Sequence, residues 1–153
     1  VAGRRKRIKT KVIGLAFQEG RLLAFEVTDD EGRLRGVRPL GGSIEYGETR
    51  EEALRREFRE ELDTEIEITG GWTVFESLYR KGDEIRHEFL FAAPIRLLDR
   101  HIPLDGEATY LEGDGSLCRA RWFDIPALAR GEPVLFPDAL LPHLLAGTPA
   151  ARD

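Results

Sequence analysis

Residues 50 to 62 constrain the fold most. This run, Arg-Glu-Glu-Ala-Leu-Arg-Arg-Glu-Phe-Arg-Glu-Glu-Leu, contains no glycine, proline or β-branched residue, so nothing in it resists helix and most of it favours helix. Thr49, with Glu52 three places on, supplies a capping box that satisfies the free N–H groups of a first turn. Just before it lies Gly41-Gly42-Ser43-Ile44-Glu45-Tyr46-Gly47-Glu48, a glycine-rich loop. A chain obliged to place a rigid acidic helix directly after a permissive loop must build the rest of its fold around that junction.

The flanking segments alternate in a different period. Ile8 to Phe17 and Leu22 to Val27, joined by Gln18-Glu19-Gly20-Arg21, read as a hairpin. Val37 to Leu40 reads as a short strand that Pro39 interrupts or confines to an edge. Glu65 to Ile68, Trp72 to Tyr79 and Glu84 to Ile95 read as further strands, the last two joined by Arg80-Lys81-Gly82-Asp83. Residues 99–118 carry the turn signals Asp105-Gly106-Glu107 and Glu112-Gly113-Asp114-Gly115 and read as loop. Ala120 to Phe123 follows as a final strand, Pro126 to Arg130 as a short helix opened by Asp124 or Pro126, and Asp138 to Ala146 as a last helix with Pro142 in or near its first turn. Strands around one long helix, with helix again at the end, make an α/β sandwich. No repeat or linker divides the 153 residues, so 1–153 reads as one domain with residues 1–7 as a flexible basic arm.

Composition excludes several classes of protein. With 41% hydrophobic and 33% charged residues the chain is neither disordered nor fibrous. Its longest early apolar stretch, Val12 to Phe17, is far short of the roughly 20 residues of a membrane span, and a cytoplasmic location is expected. Cys118, the single cysteine, excludes an internal disulfide or a cysteine-based zinc site, and is expected to be a buried thiol. The net charge of −5 hides an asymmetry: residues 1–11 hold six basic and no acidic residues, leaving 17 basic against 28 acidic in residues 12–153. An acidic body argues against general nucleic-acid binding, which needs clustered Lys and Arg, but permits phosphate binding through a metal.

On a helix at about 100° per residue, Glu57, Glu60 and Glu61 share roughly a 100° arc with Ala53, beside Leu54, Phe58 and Leu62. These carboxylates therefore border the apolar stripe. Like charges there raise one another's pKa unless compensated, and a hard divalent cation is the natural compensation. A solvated ion-pair ladder is the plainer alternative, and Glu52-Arg56-Glu60 has its i,i+4 spacing. The paired glycines favour the site reading, since an ordinary surface helix needs no loop that lets backbone approach a phosphate or metal.

Gly42-x5-Glu48-x7-Arg56-Glu57-Phe58-x-Glu60-Glu61-x-Asp63-Thr64 resembles the box of the Nudix hydrolase family, G-x5-E-x7-R-E-U-x-E-E-x-G-U with U a bulky aliphatic. Asp63 stands in place of the last Gly and Thr64 in place of the last aliphatic; neither is a metal-binding position. The resemblance implies a Nudix-like α/β/α sandwich with a mixed β-sheet. It also implies hydrolysis of a pyrophosphate bond in a nucleoside diphosphate linked to another moiety, with Mg2+ or Mn2+ as cofactor, no membrane partner and a possible homodimer. Carried over by residue, Glu57 and Glu61 would be metal ligands and Glu60 a further ligand or the base that activates water. Arg56 would orient a glutamate, Glu48 would support the junction of loop and helix, Gly42 would line the loop, and the Gly41 carbonyl would be a backbone ligand. A later glutamate, Glu112 ahead of Glu107, would join the metal or act as base. Tyr46 and Tyr79 are candidates to stack on a base, the latter fifteen residues past Thr64, and Arg38 or Arg86 to meet a phosphate. His87 is expected to be structural. Two other readings stay open: a nucleotide-binding domain without turnover, and an isomerase of an isoprenoid diphosphate that would require Cys118.

Overall fold

The computed structural model describes residues 6–112 and 114–146; the first five residues of the basic arm lie outside them. Nine strands and three helices follow in the order β1 (Ile8–Gln18), β2 (Arg21–Thr28), β3 (Leu34–Arg38), β4 (Gly41–Ser43), α1 (Arg50–Leu62), β5 (Ile66–Ile68), β6 (Thr73–Lys81), β7 (Glu84–Leu97), β8 (Glu107–Leu111), β9 (Leu117–Asp124), α2 (Ile125–Ala129) and α3 (Leu140–Leu145). The strands form a curled mixed sheet in the order β5-β7-β1-β2-β9-β8, with β3 on β2, β4 on β1 and β6 on β7. The β1·β7 pairing is parallel over nine rungs, Ile8↔His87 to Ala16↔Ile95, and the other strand pairs are antiparallel.

The two faces of β1 explain the layering. Val12 and Ala16 point one way and pack with Leu54, Phe58 and Leu62 of α1, whereas Ile13 and Leu15 point the other way and pack with Leu128, Leu140 and Leu144 of the C-terminal helices. Period-two alternation on a central strand thus gives each face its own helical cover. The expected α/β/α sandwich is what forms. Among the described residues no helix is long and apolar enough to cross a membrane.

Three expectations need correction. Residues 99–118 are not all loop, for they contain β8 and the start of β9. Ala108 and Tyr110 are buried while Glu107, Thr109 and Leu111 face outward, so a half-buried strand with polar alternate positions is concealed between the two turn signals. Cys118 is half-buried rather than buried, because it sits on β9 next to the β8–β9 turn and donates to Glu112 Oε1 at 3.6 Å. Lys81 and Arg80 also extend β6 into the expected turn.

Asp63 closes α1 in the left-handed conformation at φ 52°, its N–H donating to the Arg59 carbonyl. An L-residue tolerates that conformation at a cost Gly would avoid. Thr64, in place of an aliphatic residue, is buried, yet its hydroxyl donates to the Glu65 carbonyl and accepts from the Asp99 N–H. The substitution therefore ties the helix end to the chain leaving β7 without stranding a polar group.

Candidate active site

The junction expected from sequence is held by one arginine. Arg56 donates through Nε to Glu48 Oε2 at 2.7 Å and through Nη2 to Glu48 Oε1 at 2.9 Å, a two-pronged grip on the end of the glycine-rich loop. Nη2 also reaches the Ser43 carbonyl at 3.0 Å, and Nη1 reaches Glu57 Oε1 at 3.0 Å and Glu60 Oε2 at 3.4 Å. Glu48 in turn accepts from the Glu45 N–H. The guanidinium holds the Glu48 carboxyl down at about 2, with the Glu45 N–H helping, and Glu48 raises the Arg56 pKa in return. Thr49 and Glu52 complete the capping box, so loop and helix meet in one fixed geometry.

Glycine is required at two positions of that loop. A Cβ on Gly41 would stand 1.9 Å from the Val12 carbonyl oxygen, and one on Gly42 would stand 2.4 Å from the carboxyl carbon of Glu57. Bare backbone therefore lines the space in front of the Glu57 carboxylate.

A cavity of about 350 Å3 opens there, lined by Gly41, Gly42, Glu57, Glu61 and Glu112 together with Lys11, Phe25 and Arg38. That volume lies within the range of small-molecule sites. Burial pushes the Glu57 carboxyl above its ordinary range, against the pull of Arg56. Glu61 rises further, to about 9, through burial first and then the charges of Glu57 and Glu112. Its Oε2 atom is buried without a hydrogen-bond partner. Two carboxyls pressed together out of water, one with an orphaned oxygen, form a donor set suited to a hard cation, which takes oxygen ligands and relieves the repulsion. Among the described residues no three His, Cys, Asp or Glu side chains enclose an ion by themselves, so substrate or water oxygens would have to complete the coordination.

The sequence-expected residues divide clearly. Glu57, Glu61, Glu112, Gly41, Gly42 and Arg38 meet around the cavity, with Arg56 and Glu48 bracing it from the helix side. Glu60 lies outside the cavity lining with its side chain 60% exposed. Tyr46 is fully exposed in the loop, and Tyr79 is partly exposed on β6 across from Arg86; neither lines the cavity. Glu107 begins β8, and His87 Nε2 lies 2.8 Å from Glu76 Oε2 on the neighbouring strand. Lys11 and Phe25 were not singled out from sequence. The signal for Lys11 was its place in the Lys9-Lys11-Ile13 alternation of β1, which turns it inward although composition groups it with the basic arm. Phe25 stands edge-on to Tyr110 with ring centroids 6.4 Å apart.

Comparison with known proteins bears on this site. A family model described as NUDIX domain matches residues 8–144. A nucleoside triphosphatase NudI from Enterobacter sp. (strain 638) is 45% identical over 64 residues, covering 41% of this chain and 45% of the relative. The chain thus spans about half the length of the curated relatives it matches. Among solved structures, a NUDIX hydrolase from Nitrosomonas europaea superposes with a TM-score of 0.61 at 16% identity, covering 89% of this chain and 85% of the other. A MutT NUDIX hydrolase from Burkholderia pseudomallei superposes with a TM-score of 0.60 at 16% identity, covering 92% and 99%. At such identities the structures speak for the fold alone.

Proposed function

This chain belongs to the NUDIX domain family, and from that premise we propose that it hydrolyses a pyrophosphate bond in a nucleotide or nucleotide derivative, with Mg2+ or Mn2+ as cofactor. The observation that carries the reading is the Glu57–Glu61 pair, driven together out of water with one oxygen left unpartnered. Glu57 and Glu61 would hold the cation, joined by Glu112 and the Gly41 carbonyl. A bound divalent cation would neutralise the pyrophosphate and lower the pKa of a coordinated water. Arg56 fixes the Glu57 carboxylate through its 3.0 Å hydrogen bond and fixes the loop through Glu48. Gly41 and Gly42 present bare backbone beside the Glu57 carboxylate, where a Cβ would strike the Val12 carbonyl or Glu57 itself. Glu60, exposed at the rim and tethered to Arg56, is a second candidate to accept a proton from the attacking water, beside Glu61.

The nucleoside triphosphatase activity in the relatives' names puts nucleoside triphosphates first in a substrate panel that also holds ADP-ribose, sugar nucleotides and dinucleoside polyphosphates. Release of phosphate or pyrophosphate, with and without Mg2+, measures turnover. Glu57→Gln and Glu61→Gln should each lower kcat by about 10³ or more while the circular dichroism spectrum is kept, on the scale expected when a ligand to a catalytic cation is removed. Near-normal hydrolysis by both variants overturns the reading. Tight nucleotide binding with no product at saturating Mg2+ would mark a binding domain instead.

A further inference from the structure

The sheet ends differently at its two sides. Of the strands that pair on one side only among the described residues, β6 is the longest: its residues from Thr73 to Lys81 are all in register with β7, and no other strand meets its outer edge. Alternation sends Phe75 into the core and turns Val74, Glu76, Leu78 and Arg80 to the opposite face, all four of them exposed. The ladders continue that face inward, since Leu78 is opposite His87, Arg80 is opposite Ile85, and His87 is opposite Ile8 of β1. It is the face that α1 covers farther along, where Val74 is opposite Phe91 and the Arg50 guanidinium lies over the Phe91 ring at 5.7 Å. Past that row Leu78 and Ile85 are each 62% exposed, and Ile8 is exposed beyond His87.

A free edge that carries apolar side chains pairs with other chains unless something prevents it, and charged residues are the usual guard. Here the guard is selective. When two β6 strands pair antiparallel, residues opposite each other must share a face, so the two-fold axis passes through one residue. An axis at Glu76 or Arg80 sets a charge against its own copy, which destabilises. An axis at Ser77 sets Glu76 against Leu78, and one at Tyr79 sets Arg80 against Leu78; either takes a charge from water without giving it a partner. An axis at Leu78 sets Leu78 against its own copy and, twice over, Glu76 against Arg80. Arg80 makes no ion pair among the described residues, and Glu76 meets His87 through Oε2 alone, which leaves Oε1 for a guanidinium. The β8 edge on the other side is shorter, and its outward residues Glu107, Thr109 and Leu111 include no cation to match the carboxylate.

We propose that the β6 edge is the surface on which two copies of this chain associate, antiparallel about Leu78, with Glu76 of each copy paired to Arg80 of the other. Every residue from Phe75 to Lys81 then has a strand residue of the second copy opposite it. Ile85 lies diagonal to Leu78 on the same face, so Leu78 and Ile85 of both copies form one apolar strip across the two-fold. The charges that bar other registers specify this one. No residue of β6 lines the cavity, so the two copies share a sheet and keep separate sites.

Sedimentation velocity of the full chain tests this by mass and not by turnover, so its outcome and that of the hydrolase assay are independent. At about 100 μM the protein should sediment as a dimer, as a micromolar Kd for a small interface requires. A monomer at that concentration overturns the proposal and leaves the face to a partner of another kind. Leu78→Asp, Glu76→Arg and Arg80→Glu should each weaken association about tenfold or more, because each places like or unpaired charges at the two-fold. Glu76→Arg/Arg80→Glu should bring it back to within about threefold of the unaltered chain. No recovery in the double variant overturns the pairing of Glu76 with Arg80, and equal weakening by Thr109→Asp overturns β6 as the associating edge. Oxidative crosslinking in a Cys118→Ser background reads the register. Leu78→Cys should form a covalent dimer faster than Glu76→Cys or Arg80→Cys does, and equal or faster crosslinking at either of those positions overturns the axis at Leu78. The substituted side chains of β6 are exposed; should a charge variant still misfold, the crosslinking of Leu78→Cys decides the proposal.

Discussion

The helix wall and the sheet wall of the cavity handle buried charge in opposite ways. On α1, Glu57 and Glu61 face each other with only part of their charge compensated, and both carboxyls are pushed upward. On β1 and β7, Lys11 and Glu88 satisfy each other at 2.8 Å. The first arrangement is costly as it stands; the second is complete within the chain. Repulsion of the first kind costs stability, and pairing of the second kind leaves a buried charge satisfied.

The contrast can be broken with substitutions that remove charge from either wall. After the glutamate pair itself, the largest effect is expected for Arg56→Ala, which removes the grip on Glu48, Glu57 and the Ser43 carbonyl together: activity should fall about 10²-fold and stability by about 2 kcal/mol, the scale of charge-assisted hydrogen bonds, as read by steady-state kinetics and urea unfolding. Next, one chemical change should have opposite signs on the two walls. Without divalent cation at pH 7, Glu88→Gln should lower stability by about 2 kcal/mol by unpairing Lys11. Glu61→Gln should raise the thermal midpoint by a few degrees, since it removes a repulsion the fold otherwise bears.

The pH dependence sharpens the same point. Folded Glu61 holds its proton up to about 9, whereas in an unfolded chain it loses the proton near 4.5, so unfolding releases a proton between those values. Metal-free protein should therefore lose stability as pH rises from about 4.5 toward 9, and Glu61→Gln should flatten that slope. A steeper decline in Glu61→Gln would mean that other groups govern the window. The smallest effect belongs outside both walls: Asp63→Gly, relieving the left-handed turn at the end of α1, should stabilise by about 0.5–1 kcal/mol in urea unfolding, with kcat unchanged.

What the sequence showed of this molecule follows the range of the interactions. The helix, its capping box and the glutamates bordering its apolar stripe depend on residues within a few positions of one another, and Arg50 to Leu62 forms as the spacing predicts. The β8 strand depends on burial of Ala108 and Tyr110 in a core shared with residues as distant as Val12, Phe25 and Leu54, and turn-forming neighbours concealed it. Lys11 belongs to the same class: its partner Glu88 lies in a parallel strand, which no local pattern announces. Tyr46 misled for the converse reason, since its place in the glycine-rich loop suggested the cavity while the loop turns its ring to solvent. Glu112 reaches the cavity because the β8–β9 hairpin carries it there, although its sequence neighbours are ordinary turn residues.

The parallel ladder between β1 and β7 joins residues 79 positions apart at each of its nine rungs. During synthesis from the N-terminus, β1 and the acidic helix emerge well before the strand that supplies Glu88. Closing so long a loop is slow compared with forming the helix. The carboxylates of α1 are therefore made early, before β7 pairs with β1 and before the β8–β9 hairpin brings Glu112 to the cavity. Completion of this cavity is in that sense a late event, waiting on strands that follow the acidic helix in the chain.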